Sequence, residues 1–166
     1  MRDSFRDEVS GFVNRSKNVQ LENLNFYYLG NFGVVCQYSE NVTFDRCNFA
    51  PRPDSGRTNA GFADFIQVSG CRGMIDIRNS RFSGAHDDPI NIHGTHLRVM
   101  EFLSPNRLKV RFMHDQTFGF EAFFKGDDIE LVDPLSLLAV EKAKVKEAKL
   151  VTPREMELTL SGPLSP

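Results

Sequence analysis

The 166-residue sequence has no tryptophan, only three cysteines and no long apolar run. An odd number of cysteines without C-x-x-C spacing predicts neither a disulfide framework nor a zinc site. A membrane-spanning helix needs about 20 consecutive apolar residues, which no stretch provides, so we expect no membrane partner. Met1 is followed directly by Arg2 and Asp3, so the chain shows no apolar signal core.

The sequence also lacks an excess of either charge. Its 20 basic and 22 acidic side chains leave a net charge of −2, and no basic block is present. We therefore expect no nucleic-acid partner. A hydrophobic content of 40% is enough for a globular core, in one domain or two small ones.

Phenylalanine, by contrast, is abundant, with 15 copies, and three of them close a repeated segment. The copies are residues 18–26, 41–49 and 74–82, and each alternates apolar and polar side chains before its final Phe. Alternation of period two predicts strands, and recurrence predicts stacking of the copies. The insert at residues 51–60 lengthens the connection between the second and third copies. We expect residues 1–94 to form a parallel β-helix of about three to four coils, whose core contains Val19, Leu21, Val42, Phe44, Ile75, Ile77 and a ladder of Phe26, Phe49 and Phe82.

A second column of strands is expected between these copies. Its four segments, residues 11–16, 34–39, 64–69 and 88–93, place one amide each in a single predicted ladder: Asn14, Gln37, Gln67 and Asn91. The same alignment puts Gly11, Val34, Asp64 and Asp88 at one position, so acids occur only on the last two coils.

The repeat stops at Thr95, and residues 95–166 have a different pattern. Alternating stretches on either side of Pro105-Asn106 predict an antiparallel hairpin. Residues 141–150 have the composition of a helix but alternate like a strand, and we favour the strand. We expect a small antiparallel β-barrel or sandwich here.

Three carboxylates form the candidate catalytic site, namely Asp64, Asp87 and Asp88. Neighbouring strands lie about 4.8 Å apart, so Asp64 and Asp88 are expected to stack. Two like charges this close repel one another, a cost that a structural site normally avoids. The alternative is that Asp87-Asp88 is only a turn, as Asp127-Asp128 is expected to be.

Paired carboxylates are suited to hydrolysis of a glycosidic bond, because one donates a proton and another activates water. His86, Asn91 and His93 lie beside them and are predicted to bind substrate. The histidine spacing fits no familiar metal motif, so we expect no metal and no cofactor.

At these residues the chain resembles the bacterial α-1,3-galactosidases of glycoside hydrolase family 110. The resemblance rests on Ala63-Asp64-Phe65, on DDPINIHGT at residues 87–95, and on residues 107–130. It implies a right-handed parallel β-helix with β-barrel modules, an inverting mechanism without metal, and a glycan substrate of the blood-group-B type. It also implies that the chain is a fragment of a longer, secreted or periplasmic enzyme, and that the isolated fragment lacks part of the sugar pocket.

The resemblance also implies roles for the acids. Asp64, Asp87 and Asp88 match the essential carboxylates of the family. By analogy with polygalacturonase-like hydrolases, Asp87 would be the general acid, while Asp64 and Asp88 would hold and deprotonate the water. Acid and base would then stand roughly 6.5–9.5 Å apart.

Two other functions stay open on the sequence. A lyase or hydrolase acting on uronic-acid polymers would want a basic residue near the acids, and Arg72, Arg78 and Arg81 are available. A non-catalytic carbohydrate-binding β-solenoid would make the acids incidental. In either case, exposed strand edges at the ends of a solenoid invite self-association.

Overall fold

The computed structural model describes residues 8–115 and 117–164, and within these ranges every regular element is a β-strand. The chain divides into two compact units between Thr95 and His96. The domain boundary predicted between residues 94 and 95 falls beside this division and stays a prediction. No helix in the described part of the chain is long and apolar enough to cross a membrane.

The first unit contains ten short strands in three columns. They are β1 (Val9–Asn14), β2 (Lys17–Glu22), β3 (Asn25–Phe26), β4 (Phe32–Gln37), β5 (Glu40–Asp45), β6 (Asn48–Phe49), β7 (Ile66–Ser69), β8 (Arg72–Arg78), β9 (Arg81–Phe82) and β10 (Ile90–His93). Strands of one column pair in parallel, giving a four-stranded sheet in the order β1-β4-β7-β10 and two three-stranded sheets in the orders β2-β5-β8 and β3-β6-β9.

The repeated segments stack in the predicted register. Val42 pairs with Val19 on one side and Ile75 on the other, and Phe44 pairs likewise with Leu21 and Ile77. Because side chains two residues apart share one face of a strand, these apolar residues form a continuous core. Val42 and Phe44 are completely buried in it.

The predicted phenylalanine ladder is also confirmed. The ring of Phe49 stacks on that of Phe26 at a centroid distance of 4.3 Å and on that of Phe82 at 5.0 Å. Phe49 is fully buried, whereas its two neighbours are partly buried. The stacked rings thus link β3, β6 and β9, the three shortest strands of the unit.

The four-stranded sheet departs from the predicted alignment by two residues at its centre. Asn14 does pair with Gln37, and Gln67 with Asn91, but Gln37 pairs with Ser69. The single amide ladder is therefore wrong, because it is two separate pairs. A slip of two residues keeps every side chain on its original face, so the alternation of apolar residues is the same in both registers.

The second unit is one five-stranded antiparallel sheet. Its strands are β11 (Arg98–Ser104), β12 (Arg107–Arg111), β13 (Asp128–Val132), β14 (Ala139–Thr152) and β15 (Glu155–Leu160), in the order β11-β12-β15-β14-β13. The β11–β12 hairpin and the strand over residues 141–150 were predicted correctly. Leu108, Met156 and Leu158 form the centre of a separate apolar core.

The predicted fold class needs correction. The chain is all-β, but its parallel sheets contain only three or four strands. Only the sheet β1-β4-β7-β10 has a fourth strand, so the fourth repeat of the stack consists of β10 alone. The largest sheet is the curled antiparallel one of the second unit. A right-handed parallel β-helix is therefore wrong as the fold class. A sequence repeat shows which neighbouring strands pair, but it determines neither the number of complete layers nor the handedness.

Candidate active site

The three predicted catalytic acids lie on neighbouring connections of the first unit. Asp64 lies near the end of the connection from β6 to β7, and Asp87 and Asp88 belong to the connection from β9 to β10. The backbone N–H of Phe65 donates to the carbonyl of Asp88 at 3.1 Å, and β7 and β10 pair from Ile66 and Ile90 onward. This register, extended by two residues, sets Asp64 beside Asp88.

Gly33 allows the backbone to approach Asp64 closely. Its N–H donates to the Asp64 carbonyl at 2.9 Å. A Cβ at this position would lie 2.6 Å from that carbonyl oxygen and 2.2 Å from the carbonyl oxygen of Phe65. Gly33 belongs to β4, and only glycine allows β4 to lie this close to the turn at Asp64. Gly33 therefore fixes the position of the Asp64 backbone.

The carboxylates converge. Asp64, Asp87 and Asp88 each present an oxygen within 4.8 Å of the others. Asp64 is 4% exposed, whereas Asp87 and Asp88 are exposed to solvent. The expected gap of 6.5–9.5 Å between Asp87 and the other two acids is therefore wrong for the nearest oxygens, because the bend at His86 and Asp87 turns that carboxylate toward its neighbours.

Asn91 and His93 extend this site along β10. The Asn91 side-chain amide donates to Asp64 Oδ2 at 3.1 Å, which orients the buried carboxylate. His93 Nδ1 lies 2.9 Å from the carbonyl oxygen of Gly94 and donates to it. The other ring nitrogen, Nε2, lies 3.4 Å from the amide nitrogen of Gln67.

His86 is held by the neighbouring connection. Its Nδ1 donates to the carbonyl of Phe62 at 2.9 Å, and the two rings are 5.5 Å apart. The His86 ring is exposed to solvent, so its Nε2 atom can be reached by a ligand. His86, Asn91 and His93 thus all lie on segments that carry or adjoin the acids, and their role in substrate binding stays a prediction.

The second aspartate pair and the arginines named as possible bases have contacts of their own. Asp127 Oδ2 accepts the N–H of Phe124 at 2.8 Å, so this aspartate braces a turn, as expected. Arg78 pairs with Asp45 and Asp76. Arg81 donates to the Asn48 side chain, so neither arginine is directed to the candidate site.

Two features of the first unit were not predicted from the sequence. The close approach at Gly33 gives no pattern that a single sequence could reveal. The Tyr27-Tyr28 doublet does carry a signal, because it directly follows a strand and both rings are about half exposed. Exposed adjacent aromatics on a connection are a common mark of a binding surface.

The second part of the chain matches a known domain family. Residues 107–166 match the model described as GLAA-B beta-barrel domain II. This range covers the strands from β12 to β15 and excludes the candidate site.

Comparison with curated proteins extends the match to nearly the whole chain. It is 89% identical over 99% of its length to alpha-1,3-galactosidase A of Bacteroides thetaiotaomicron, of which it covers 29%. It is 44% identical over 95% of its length to alpha-1,3-galactosidase A of Bacteroides fragilis, covering 26% of that protein. It is 34% identical over 99% of its length to alpha-1,3-galactosidase B of Bacteroides thetaiotaomicron, covering 27%. The chain thus spans between a quarter and three tenths of these relatives, and the resemblance inferred from its motifs is confirmed.

Proposed function

Because this chain is a close relative of the alpha-1,3-galactosidases over nearly its whole length, we propose that its three carboxylates hydrolyse a terminal α-1,3-linked galactose from a glycan. The observation that carries this proposal is the convergence of Asp64, Asp87 and Asp88 on adjacent connections. Glycosidic hydrolysis requires one carboxylic acid to protonate the leaving oxygen and a carboxylate to assist attack at the sugar carbon. For the full-length protein we propose glycans of the blood-group-B type as substrate.

We assign the general acid to Asp87, since it is exposed to solvent on a bend and can therefore reach the oxygen of a leaving group. Asp64 and Asp88 hold the attacking water. The side-chain amide of Asn91 orients the buried Asp64 carboxylate beside that of Asp88. A water held there is deprotonated as it attacks.

The kinetics of Asn variants in the full-length enzyme test these roles. Asp87→Asn is expected to lower hydrolysis of a natural α-galactoside by about a hundredfold or more, the usual range of acid–base catalysis. A nitrophenyl galactoside should lose less, because its leaving group needs little protonation. Asp64→Asn and Asp88→Asn should slow both substrates equally. If Asp87→Asn slows both substrates equally and one of the other two variants spares the nitrophenyl galactoside, the roles of acid and base must be exchanged. If all three variants keep near-normal rates, the catalytic site lies elsewhere.

The stereochemistry is tested separately, because carboxylates this close fit poorly with the spacing usual for inversion. We expect inversion, with β-galactose as the first product of an α-linked substrate. Proton NMR during the first minutes of hydrolysis distinguishes the two anomers. If α-galactose appears first, one of the carboxylates is a nucleophile and the reaction has two displacement steps.

Three carboxylates within 4.8 Å of one another are also a possible cation site. We propose that catalysis needs no cation. A chelator should therefore leave kcat unchanged in the full-length enzyme. A loss of activity that is restored by Ca²⁺ or Mg²⁺ would assign these acids to a metal. Assay against polygalacturonate tests the remaining enzymatic alternative, and binding of a galactoside without turnover would favour a carbohydrate-binding role.

A further inference from the structure

A second cleft lies in the first unit, apart from the three carboxylates. It is lined by Tyr27, Tyr28, Arg52, Ser55 and Arg57 and has a volume of about 260 Å³. The two tyrosines come from the connection after β3, and the other three residues come from the insert that lengthens the connection after β6.

The lining residues have the chemistry of a carbohydrate subsite. Tyr27 is 43% exposed and Tyr28 is 51% exposed, so both rings can contact the apolar C–H face of a sugar, Tyr28 on the side that Arg57 leaves uncovered. The guanidinium carbon of Arg57 lies 4.1 Å from the centre of the Tyr28 ring. This contact orients the guanidinium while leaving several of its N–H donors for hydroxyl groups.

The loop that supplies the arginines is braced before any ligand arrives. Ser55 Oγ donates to the carbonyl of Arg52 at 2.6 Å and accepts the N–H of Arg57 at 3.3 Å. Arg52 Nε pairs with Asp54 at 2.6 Å. A loop held by its own hydrogen bonds loses little further entropy on binding, which favours a preformed site.

The cleft and the acids occupy successive connections at one corner of the stacked strands. The N–H of Leu29, just after the tyrosines, donates to the carbonyl of Ala60 at 2.7 Å. The N–H of Ala60 in turn donates to the carbonyl of Gly84, at the start of the segment that carries Asp87 and Asp88. These bonds join the connection that carries the tyrosines, through the connection that carries Arg57 and Asp64, to the connection that carries Asp87 and Asp88.

From this arrangement we infer that the Tyr27–Tyr28–Arg57 cleft binds the sugars to which the cleaved galactose is attached, an inference that rests on the proposed galactosidase function. A terminal galactose has a neighbour on one side only. Any second sugar that contacts the protein must therefore belong to the leaving group. The cleft would increase affinity for longer oligosaccharides and contribute nothing to a simple aryl galactoside.

The test uses the full-length enzyme and two substrates, a nitrophenyl α-galactoside and an α-1,3-galactosyl oligosaccharide of three or more sugars. Tyr27→Ala and Arg57→Ala are each expected to lower kcat/KM for the oligosaccharide about tenfold, the loss of one ordinary contact. The aryl galactoside should be hydrolysed at the parent rate, which also shows that the variants fold. Arg98→Ala, an exposed arginine of the second unit, is the matched control and should leave both substrates unchanged.

Calorimetric titration adds a readout that does not depend on turnover. The oligosaccharide is titrated into Asp87→Asn with and without Arg57→Ala, and the second change should weaken binding about tenfold. Equal binding by both proteins, or equal effects of Tyr27→Ala on the two substrates, would overturn the inference. Failure of the parent enzyme to hydrolyse the aryl galactoside would overturn the proposed function instead, and the titration would still report on the cleft.

Discussion

At the scale of single residues, Gly33 is a position where any side chain larger than hydrogen would clash with the backbone. A methyl group there would lie within 2.6 Å of two backbone carbonyl oxygens, and neither can move without displacing the turn that carries Asp64. We expect Gly33→Ala to abolish activity in the full-length enzyme and to destabilise it by several kcal/mol, in the upper range of single substitutions. Gly30→Ala is the control, because a Cβ at Gly30 meets no atom within 4 Å. Equal activity of the two variants would show that the close approach is not needed.

A second residue-scale prediction concerns pH. Asp45 is buried, and the hydrogen bond from Asn79 lowers the pKa of its carboxyl group, assisted by Arg46 and Arg78 and opposed by burial. A carboxyl group with a lowered folded-state pKa stabilises the protein above its unfolded pKa, near 3.9, and loses this effect as the pH falls through the folded-state value.

The consequence can be measured by urea titration between pH 6 and pH 2.5. Asp45→Asn should be less stable than the parent at pH 6. The difference should shrink as the pH falls below about 4, where the carboxyl of the unfolded chain begins to be protonated, and disappear below the lowered folded-state pKa. Asp76→Asn, at a more exposed carboxylate of the same strand column, should show a smaller change. A difference that is constant over the whole range would contradict the role given to Asp45.

At the scale of elements, the phenylalanine ladder predicts a large loss on truncation. Phe49 is fully buried between two stacked rings, so Phe49→Ala leaves a cavity. The free energy of unfolding should fall by about 3–5 kcal/mol, as for other large-to-small changes in cores. Phe12→Ala is the control, since Phe12 is 56% exposed and its loss should change stability little. A midpoint in denaturant that does not move for Phe49→Ala would mean that the ladder does not stabilise this unit.

The strands also show what a sequence can and cannot predict. The pairing of Val42 with Val19 and Ile75 was predictable because three copies share one frame and a final Phe. The pairing of Gln37 with Ser69 was not, because the frame of that column is short and a slip of two residues preserves its faces. The proximity of Asp64 and Asp88 was predictable from layer spacing. The approach of Asp87 depends on the bend before Pro89, where side-chain direction follows from dihedral angles that no periodicity encodes.

At the scale of the whole molecule, the chain is a minor part of the proteins it matches, covering 29% of the Bacteroides thetaiotaomicron relative. Two of its three acids are exposed to solvent, whereas glycosidic catalysis benefits from a closed site that positions the sugar and excludes water. The 166-residue chain alone should therefore hydrolyse a nitrophenyl α-galactoside at least about 100-fold more slowly than that relative, the size of loss expected when positioning is incomplete. The Asp87→Asn chain gives the background rate. Equal kcat/KM values for chain and relative would show that these residues form the complete site.

The connection after β6 has a consequence for how such enzymes diversify. Asn25 and Asn48 are 23 residues apart and Asn48 and Arg81 are 33 apart, yet both pairs occupy equivalent positions in adjacent strands. Extra length here is absorbed outside the strand pairing, and longer loops add little closure entropy, about 0.6 kcal/mol for each doubling. New residues can therefore be tried in the connection that leads to Asp64, one of the candidate catalytic acids, while the strands keep their register. The connection after β6 is therefore a site where sequence can change at little cost to the fold. A randomised library confined to residues 51–59 should vary substrate preference while the strands keep their pairing.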